Sequence, residues 1–177
     1  MRWSQLSARA REPGAAILAR LKLRRCAHVG RAPRVLGRVW VWGDGRVVLG
    51  DRVLLDGRAC AIELHALSGA EIIIGDDVEI AAGSSLEATG VIAIGARSRL
   101  GRFCKIMDNQ FHATRGDHHT VAAAAGALHV GCDVEIGPHA VLLPGAVIED
   151  GCSVEPCRVV SRRVVARQTS LDLGHVG

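Results

Sequence analysis

The stretch from Val130 to Val160, VGCDVEIGPHAVLLPGAVIEDGCSVEPCRVV, places an aliphatic residue at every sixth position. These residues are Val130, Ile136, Leu142, Ile148, Val154 and Val160, and small residues (Val134, Ala140, Ala146 and Cys152) stand four places after the first four of them. A period of six matches neither the ~3.6-residue period of a helix nor the alternation of a flat strand. A short fixed period is typical of a stacked solenoid, and hexapeptide repeats form β-helices. The stretch therefore predicts an all-β protein built as a parallel β-helix, with three hexads, or about 18 residues, in each turn.

The same repeat extends toward the N-terminus. It includes Leu49, Leu55 and Ala61, then Ile74, Ile80 and Leu86, and, after a slip in phase, Ile94, Leu100 and Ile106. The repeat is interrupted over Ile62–Ser68, where we expect an excursion at a corner, and again from Met107 to Leu128. Loops as long as the second interruption are usually functional or disordered. These boundaries predict a basic leader with a short helix (1–30), a β-helix (31–165) with an extruded loop (107–129), and a C-terminal tail (166–177).

Composition restricts the class of protein. The 177 residues suffice for one domain with a sizeable core, which must be aliphatic because aromatic residues make up only 3% of the chain. The six cysteines form no CxxC pair and no zinc-ligand spacing, so we expect reduced, mostly buried thiols. No apolar stretch reaches the length of a membrane span, and the apolar run at Ala15–Ala19 is too short for a secretion signal. We therefore predict a cytoplasmic protein.

Charge is distributed unevenly along the chain. Residues 1–38 carry ten Lys or Arg and one acid, a net charge of +9, whereas the rest carry 12 basic and 17 acidic groups, a net charge of −5. Such asymmetry favours an anionic partner, and we consider a membrane surface contacted by residues 1–30 beside a basic helix that is merely solvated. We expect no nucleic-acid partner, because no recognised nucleic-acid-binding motif accompanies the arginines.

Several parts of the sequence resemble those of a known family. The hexads, the loop sequence IMDNQFH (106–112) and the coil IGPHAVLLPGAVIEDGCSV (136–154) together resemble the hexapeptide-repeat acyltransferases. The nearest branch is that of the maltose and galactoside O-acetyltransferases and their relatives in polysaccharide biosynthesis. The resemblance implies a left-handed coil, a handedness that the spacing itself does not decide. It also implies a homotrimer that uses acetyl-CoA as cosubstrate and needs no metal.

The resemblance implies roles for individual residues. His112 is the general base: a neutral imidazole takes the proton of a sugar hydroxyl as the oxygen attacks the thioester carbonyl. Asp108 and Asn109 orient the loop or bind the hydroxyls of the acceptor. The positions that contact the cofactor are Pro138, Gly145, Pro156, Ser161 and Arg162. The guanidinium of Arg162 would also suit a phosphate of coenzyme A.

The resemblance therefore implies an O-acetyltransferase of the cytoplasm that moves an acetyl group from acetyl-CoA to a hydroxyl of a sugar or glycan precursor; membrane contact through residues 1–30 would place it at the inner face of the membrane. Two alternatives stay open. Departures from the family pattern at Phe103, Glu135 and Glu155 favour a catalytically silent scaffold subunit. A metalloenzyme similar to the γ-carbonic anhydrases would need three histidines, two of them five residues apart, but Asp117 stands five residues after His112. Neither the residues nor the resemblance identifies the acceptor.

Overall fold

The computed structural model describes residues 13–109 and 127–164, which form one helix and a series of short strands. The helix is α1 (Pro13–Lys22). The strands are β1 (His28–Val29), β2 (Arg34–Trp42), β3 (Arg46–Leu49), β4 (Leu54–Ala66), β5 (Glu71–Ile74), β6 (Glu79–Ala81), β7 (Ser85–Ala88), β8 (Val91–Ile94), β9 (Arg99–Leu100), β10 (Lys105–Met107), β11 (Leu128–Val130), β12 (Glu135–Ile136), β13 (Val141–Leu142), β14 (Val147–Ile148), β15 (Ser153–Val154), β16 (Val159–Val160) and β17 (Arg163–Val164). His112, the predicted base, lies outside the described residues.

The strands stack into three faces, so that each turn of the chain outlines a triangle. Face 1 consists of β1, β3, β5, β8, β11, β14 and β17, in that order. The long strands β2 and β4 contribute to both other faces, because the first part of β4 pairs with β6 and its last part with β7. Face 2 continues through β9, β12 and β15, and face 3 through β10, β13 and β16. The prediction of an almost entirely parallel β protein is confirmed, and the curled sheets fit a β-helix; its left-handed sense stays a prediction.

Three corners join the faces, and each is named by the residues that turn there. Corner A, between faces 1 and 2, contains Arg52, Asp77, Arg97, Asp133 and Gly151, all at positive φ. Corner B, between faces 2 and 3, contains Gly83, Phe103, His139 and Cys157, also at positive φ. Corner C, between faces 3 and 1, contains the turns at Thr89–Gly90 and Gly145.

The length of a turn varies along the solenoid. In the last full turns, stacked partners such as Ile136 and Val154 are 18 residues apart, which is the three hexads that the sequence predicts. Leu55 and Ile80 are instead 25 residues apart, because earlier corners hold extra residues. Ile94 stacks on Val130, 36 residues later, so the segment after β10 adds the equivalent of one whole turn at corner C.

The aliphatic residues of the repeat form one continuous core. Those buried include Leu49, Leu55, Ile74, Ile80, Leu86, Ile94, Leu100, Ile106, Val130, Ile136, Leu142, Ile148, Val154 and Val160. The predicted small residues Val134, Ala140 and Ala146 are buried where the corners crowd. Ser84 and Ser98 occupy equivalent places, and their hydroxyls donate to the carbonyls of Gly101 (2.9 Å) and Gly131 (2.8 Å). These bonds offset the cost of burying a polar group.

Three details of the repeat were predicted incorrectly. Ile62–Ser68 is mostly strand rather than an excursion: Ile62, Leu64 and Ala66 are buried in β4. The extra residues lie just before it, where Ala59, four places after Leu55 like the small residues of the later hexads, is exposed and not buried. The thiols were expected to be mostly buried, but only Cys104 and Cys152 are; Cys26, Cys60 and Cys132 are half-buried and Cys157 is exposed at corner B.

Helix α1 packs against the first turn of the solenoid. Ala19 and Leu23, the residue that follows the end of the helix, are buried there, four residues apart and on the same side. Arg20 donates to the carbonyl oxygens of Val29 (3.3 Å) and Gly30 (2.8 Å), and Lys22 donates to that of Gly37 (2.8 Å). The first strand begins at His28, three residues before the predicted start of the β-helix at residue 31, because residues after α1 already pair with β3.

Candidate functional site

An open groove of about 340 Å³ lies on face 2, beside corner B. Its lining residues are Arg99, Gly101, Glu135, Ile136, Gly137, Pro138, Ser153, Val154, Glu155 and Pro156. They belong to three successive turns of the solenoid, at β9, β12 and β15. The groove is therefore built by stacking and not by a loop folded over the surface.

Two glycines form the floor of the groove because the turns approach closely there. A Cβ atom on Gly101 would lie 2.6 Å from the nitrogen of Pro138, and one on Gly137 would lie 2.5 Å from the nitrogen of Pro156. Any larger residue would push the turns apart. Glu155 occupies the equivalent position one turn after Gly137. No described turn stacks on it, so this position does not require glycine.

Charged side chains from three stacked strands, β6, β9 and β12, form a row of ion pairs beside the groove. Arg99 lies between Glu79 and Glu135 in register, with nitrogen–oxygen distances of 3.8 Å to each carboxylate. Such long, solvated pairs contribute little to stability. With Glu155 also at the rim, the groove has no excess of positive charge, and its chemistry suits an uncharged, amide-containing ligand better than a phosphate.

The predicted cofactor residues fall into two groups. Pro138 and Pro156 both line the groove. Gly145, Ser161 and Arg162 lie instead around corner C, at the other edge of face 3; Ser161 and Arg162 are exposed, and a Cβ on Gly145 would meet nothing within 4 Å. Within one chain, the width of face 3 separates these two groups.

Asp108 is buried at corner C, directly after β10. One carboxylate oxygen accepts hydrogen bonds from the backbone N–H (2.8 Å) and hydroxyl (3.0 Å) of Thr89, and the other accepts from the N–H of Gly90 (2.7 Å). Asn109, also buried, donates to the first oxygen at 3.3 Å. These bonds join the end of β10 to the turn at Thr89–Gly90, and the roles predicted for Asp108 and Asn109, toward the loop or the acceptor, stay predictions.

Sequence reasoning missed Thr89 and Gly90, the partners of Asp108. The available signal was a threonine-glycine turn followed by the strand VIAI, about one coil before Asp108. Recognising it requires the length of that coil, which varies along this chain.

Corner B carries an aromatic pair next to the groove. The rings of Phe103 and His139 stack with centroids 5.2 Å apart and planes 15° from parallel. Phe103 also covers Gly83, since a Cβ there would lie 2.3 Å from a carbon of the ring. The side chain of Phe103 therefore packs against its neighbouring turns along the corner. His139 was not among the predicted site residues.

The cysteines do not offer an activated nucleophile at the groove. Burial raises the pKa of the Cys26 thiol and of the Cys104 thiol to about 11 each, so both stay protonated at neutral pH. All six cysteines are free, and none lines the groove.

Across residues 13–109 and 127–164, no group of three or more His, Cys, Asp or Glu side chains is arranged to hold a metal ion.

The chain has the fold of the acyltransferase AntD. Three crystal structures of point mutants of this N-acyltransferase from Bacillus cereus superimpose on the chain with TM-scores of 0.64, 0.66 and 0.65, at 20% sequence identity. They cover 81–82% of this chain and 78% of their own. The first holds dTDP-4-amino-4,6-dideoxyglucose and coenzyme A, and the other two hold dTDP and coenzyme A. No protein-family model matches the chain, and no curated protein matches it in sequence.

Proposed function

We propose that this protein is a CoA-dependent acyltransferase that moves an acetyl group from acetyl-CoA to a hydroxyl of a sugar or glycan precursor. The observation that carries the proposal is the groove on face 2, because two residues expected to contact the cofactor, Pro138 and Pro156, line it together. The fold shared with AntD, whose structures hold coenzyme A and a nucleotide or nucleotide sugar, supports it.

The groove fits the neutral arm of coenzyme A. The groove has no excess of positive charge, and the amides of a pantetheine arm can be hydrogen-bonded without a charged partner. Arg99 is already shared between Glu79 and Glu135 and is therefore a poor phosphate ligand. Arg162 is exposed and carries the fork of donors that phosphate oxygens prefer.

A homotrimer would bring both groups of predicted cofactor residues to one ligand. Pro138 and Pro156 lie at one edge of face 3, and Gly145, Ser161 and Arg162 lie at the other. If corner C of one subunit packs beside the groove of the next, a single coenzyme A contacts both edges. Cyclic symmetry then repeats the same site at each interface.

In the proposed step, His112 takes the proton of the acceptor hydroxyl while the hydroxyl oxygen attacks the carbonyl carbon of the thioester. The tetrahedral intermediate then collapses, the C–S bond breaks, and the thiolate of coenzyme A receives the proton from the imidazolium. General-base catalysis of this kind contributes about 10²–10⁴-fold. Asp108 and Asn109 fix the chain just before His112, and they are the proposed link between the solenoid and the acceptor.

An amine acceptor is the second candidate, and AntD favours it, because AntD is an N-acyltransferase with an aminosugar nucleotide bound. An amine attacks a thioester by the same route and also loses a proton to the base. The product distinguishes the two candidates, since hydroxylamine cleaves an acetyl ester and leaves an acetamide intact.

The test is a turnover assay that follows release of the CoA thiol from acetyl-CoA, with a panel of sugar and aminosugar nucleotides. We expect acceptor-dependent release by the wild type. In His112→Ala, kcat should fall by about 10²–10⁴-fold while the Kd for acetyl-CoA changes little. Full turnover in His112→Ala would overturn the assignment of the base. Absence of acetyl-CoA binding in the wild type would overturn the proposed function as a whole.

A further inference from the structure

Helix α1 has an apolar side that nothing described in the chain covers. Ile17, Leu18 and Leu21 are 64%, 61% and 59% exposed and lie on the side opposite the buried Ala19 and Leu23. Packing against the solenoid therefore accounts for one apolar side of the helix and leaves the other in water. Exposed apolar patches of this kind mark an interaction surface.

The apolar surface continues onto the neighbouring strand. Trp40 and Trp42 point outward from β2 and are 52% and 47% exposed, while Val41 between them is buried. Together with Leu21 they line an open groove of about 510 Å³ between the end of α1 and face 3. Trp42 is held by stacking on His65, with ring centroids 3.5 Å apart.

Cations surround this surface. Lys22, Arg24 and Arg25 line the same groove, against a single carboxylate, that of Glu63. Lys22 donates to a backbone carbonyl, which leaves its charge unneutralised. Within residues 13–109 and 127–164, neither Arg24 nor Arg25 pairs with an acid. The groove therefore carries a net positive charge beside exposed tryptophan and leucine.

We propose that this surface, formed by Ile17, Leu18, Leu21, Trp40 and Trp42 with Arg24 and Arg25, docks onto a bilayer containing anionic phospholipid. Tryptophan prefers the boundary between headgroups and acyl chains, leucine and isoleucine insert below it, and arginines bind the phosphates above it. Each basic residue near an anionic membrane strengthens binding by about fivefold. The surface does not depend on His112 or on the groove of face 2.

Charge argues for a membrane over a second copy of the chain. A twofold contact would place the arginines of both copies together. A head-to-tail contact would need a free acidic surface, yet most carboxylates of the solenoid already pair with arginine, including Asp51, Asp56, Glu71, Asp77 and Asp133. Anionic phospholipid supplies the missing negative charge and the apolar layer at once.

The experiment measures partitioning of the full chain onto vesicles of phosphatidylglycerol and phosphatidylcholine in equal parts, beside vesicles of phosphatidylcholine alone. We expect binding to the anionic vesicles, with about a 25-fold loss in the double variant Arg24→Gln, Arg25→Gln. The matched control Arg102→Gln, Arg158→Gln removes two other exposed arginines and should bind like the wild type. Leu21→Ser with Trp40→Ser should also lose binding, whereas Val159→Ser, an exposed valine on face 3, should not.

Further measurements report how deeply the tryptophans insert into the bilayer, and whether phosphate or a second copy of the chain binds the surface instead. Brominated acyl chains should quench the fluorescence of the wild type more than that of Trp40→Phe, and circular dichroism checks that each variant is folded. Equal binding to neutral vesicles, or equal losses in patch and control variants, would overturn the proposal. It would also be overturned if inorganic phosphate competed beyond the effect of matched salt. A fall in oligomer mass in the patch variants, with vesicle binding unchanged, would assign the surface to a second copy instead.

Discussion

Corners A and B share one backbone and differ in almost every side chain. In both, a residue at positive φ donates its N–H to the carbonyl of the preceding turn: Arg97 to Asp76 (2.8 Å) at corner A, and His139 to Arg102 (2.8 Å) at corner B. Apart from Gly151, the positions named at corner A hold arginine and aspartate that pair across turns, whereas those at corner B hold glycine, phenylalanine, histidine and cysteine.

The pairs at corner A are bidentate. Arg52 contacts both oxygens of Asp77 at 2.7 and 2.6 Å, and Arg97 contacts both oxygens of Asp133 at the same distances. At corner B, Arg58 contacts both oxygens of Asp56 at 2.8 and 2.7 Å, but this pair lies within β4 and joins no two turns, and no described residue that lines the groove forms a bidentate pair. We conclude that stacking of the turns determines the backbone of a corner. The side chains at a corner can either form ion pairs between turns or border a binding site.

The largest effect should come from the core that both corners share. Ile136 is 3% exposed, and its truncation in Ile136→Ala should lower the free energy of unfolding by about 2–5 kcal/mol, because a cavity would remain between tightly stacked turns. Val159→Ala, at a position that is 58% exposed, should change it by less than about 0.5 kcal/mol. Urea unfolding measures both, and equal losses would show that the turns do not share a tightly packed core.

Corner C provides a case in which a buried carboxylate replaces the ion pairs of corner A. Asp108→Ala would leave the N–H groups of Thr89 and Gly90 without a partner, at about 1–3 kcal/mol for each. Asp108→Asn should lose less, because its amide oxygen still accepts one of these bonds. Hydrogen exchange at Thr89 and Gly90 should rise most in the alanine variant, and unchanged protection in that variant would rule out this role.

Glycine substitutions at corners A and B should separate stability from binding. Gly137→Ala places a methyl group about 2.5 Å from Pro156 and should cost about 1–3 kcal/mol of stability while also weakening acetyl-CoA binding at the groove. Gly151→Ala, at corner A, strains a residue at φ 67° with open space around it, and should lower stability without affecting the ligand. Thermal melts and calorimetric titration test the two effects, and loss of binding in both variants would contradict the division between the corners.

The smallest effect should come from the exposed pairs of corner A, and it should depend on pH. The side-chain hydrogen bonds of Arg97 hold the pKa of Asp133 below its ordinary value of 3.8. A depressed carboxylate pKa contributes stability that is present above the unfolded pKa and is lost as pH falls through the folded pKa. The difference between wild type and Asp133→Asn should therefore vanish in acid and shrink in high salt.

Glu155→Gln is the matched control at corner B for this last prediction. Glu155 is exposed and forms no ion pair with a described residue. Its substitution should leave the pH dependence of unfolding unchanged. A pH-dependent loss as large as that of Asp133→Asn would mean that the ionic character of corner A has no special role.

Features governed by the six-residue period could be predicted from the sequence. Ile136 and its equivalents point inward because each face repeats, and Ala140 and Ala146 must be small because the corners crowd there. The position of the long interruption after Met107 followed from the same counting. The predicted groove residues Pro138 and Pro156 came from the resemblance, and the stacking of equal turns brings them together.

Features that depend on the length of individual turns could not be predicted. Extra residues just before Ile62 shift the phase of the repeat, and counting alone places such an insertion in the wrong segment. The partner of Arg52 is 25 residues away and that of Arg97 is 36 residues away, so neither pair has a fixed sequence signature. The exposed side of α1 also escaped prediction, because its apolar residues look the same in sequence whether they are covered or not.

Calorimetric titration of acetyl-CoA into the wild type, Ser153→Trp and Asp133→Asn would show whether the groove of face 2 binds the cofactor. Ser153 is exposed and lines the groove of face 2, so a tryptophan there should fill the space, whereas Asp133 lies at corner A. We expect saturable binding by the wild type and Asp133→Asn, and binding at least about tenfold weaker, or ~1.4 kcal/mol, in Ser153→Trp. No binding by the wild type, or the same Kd in Ser153→Trp, would contradict this expectation.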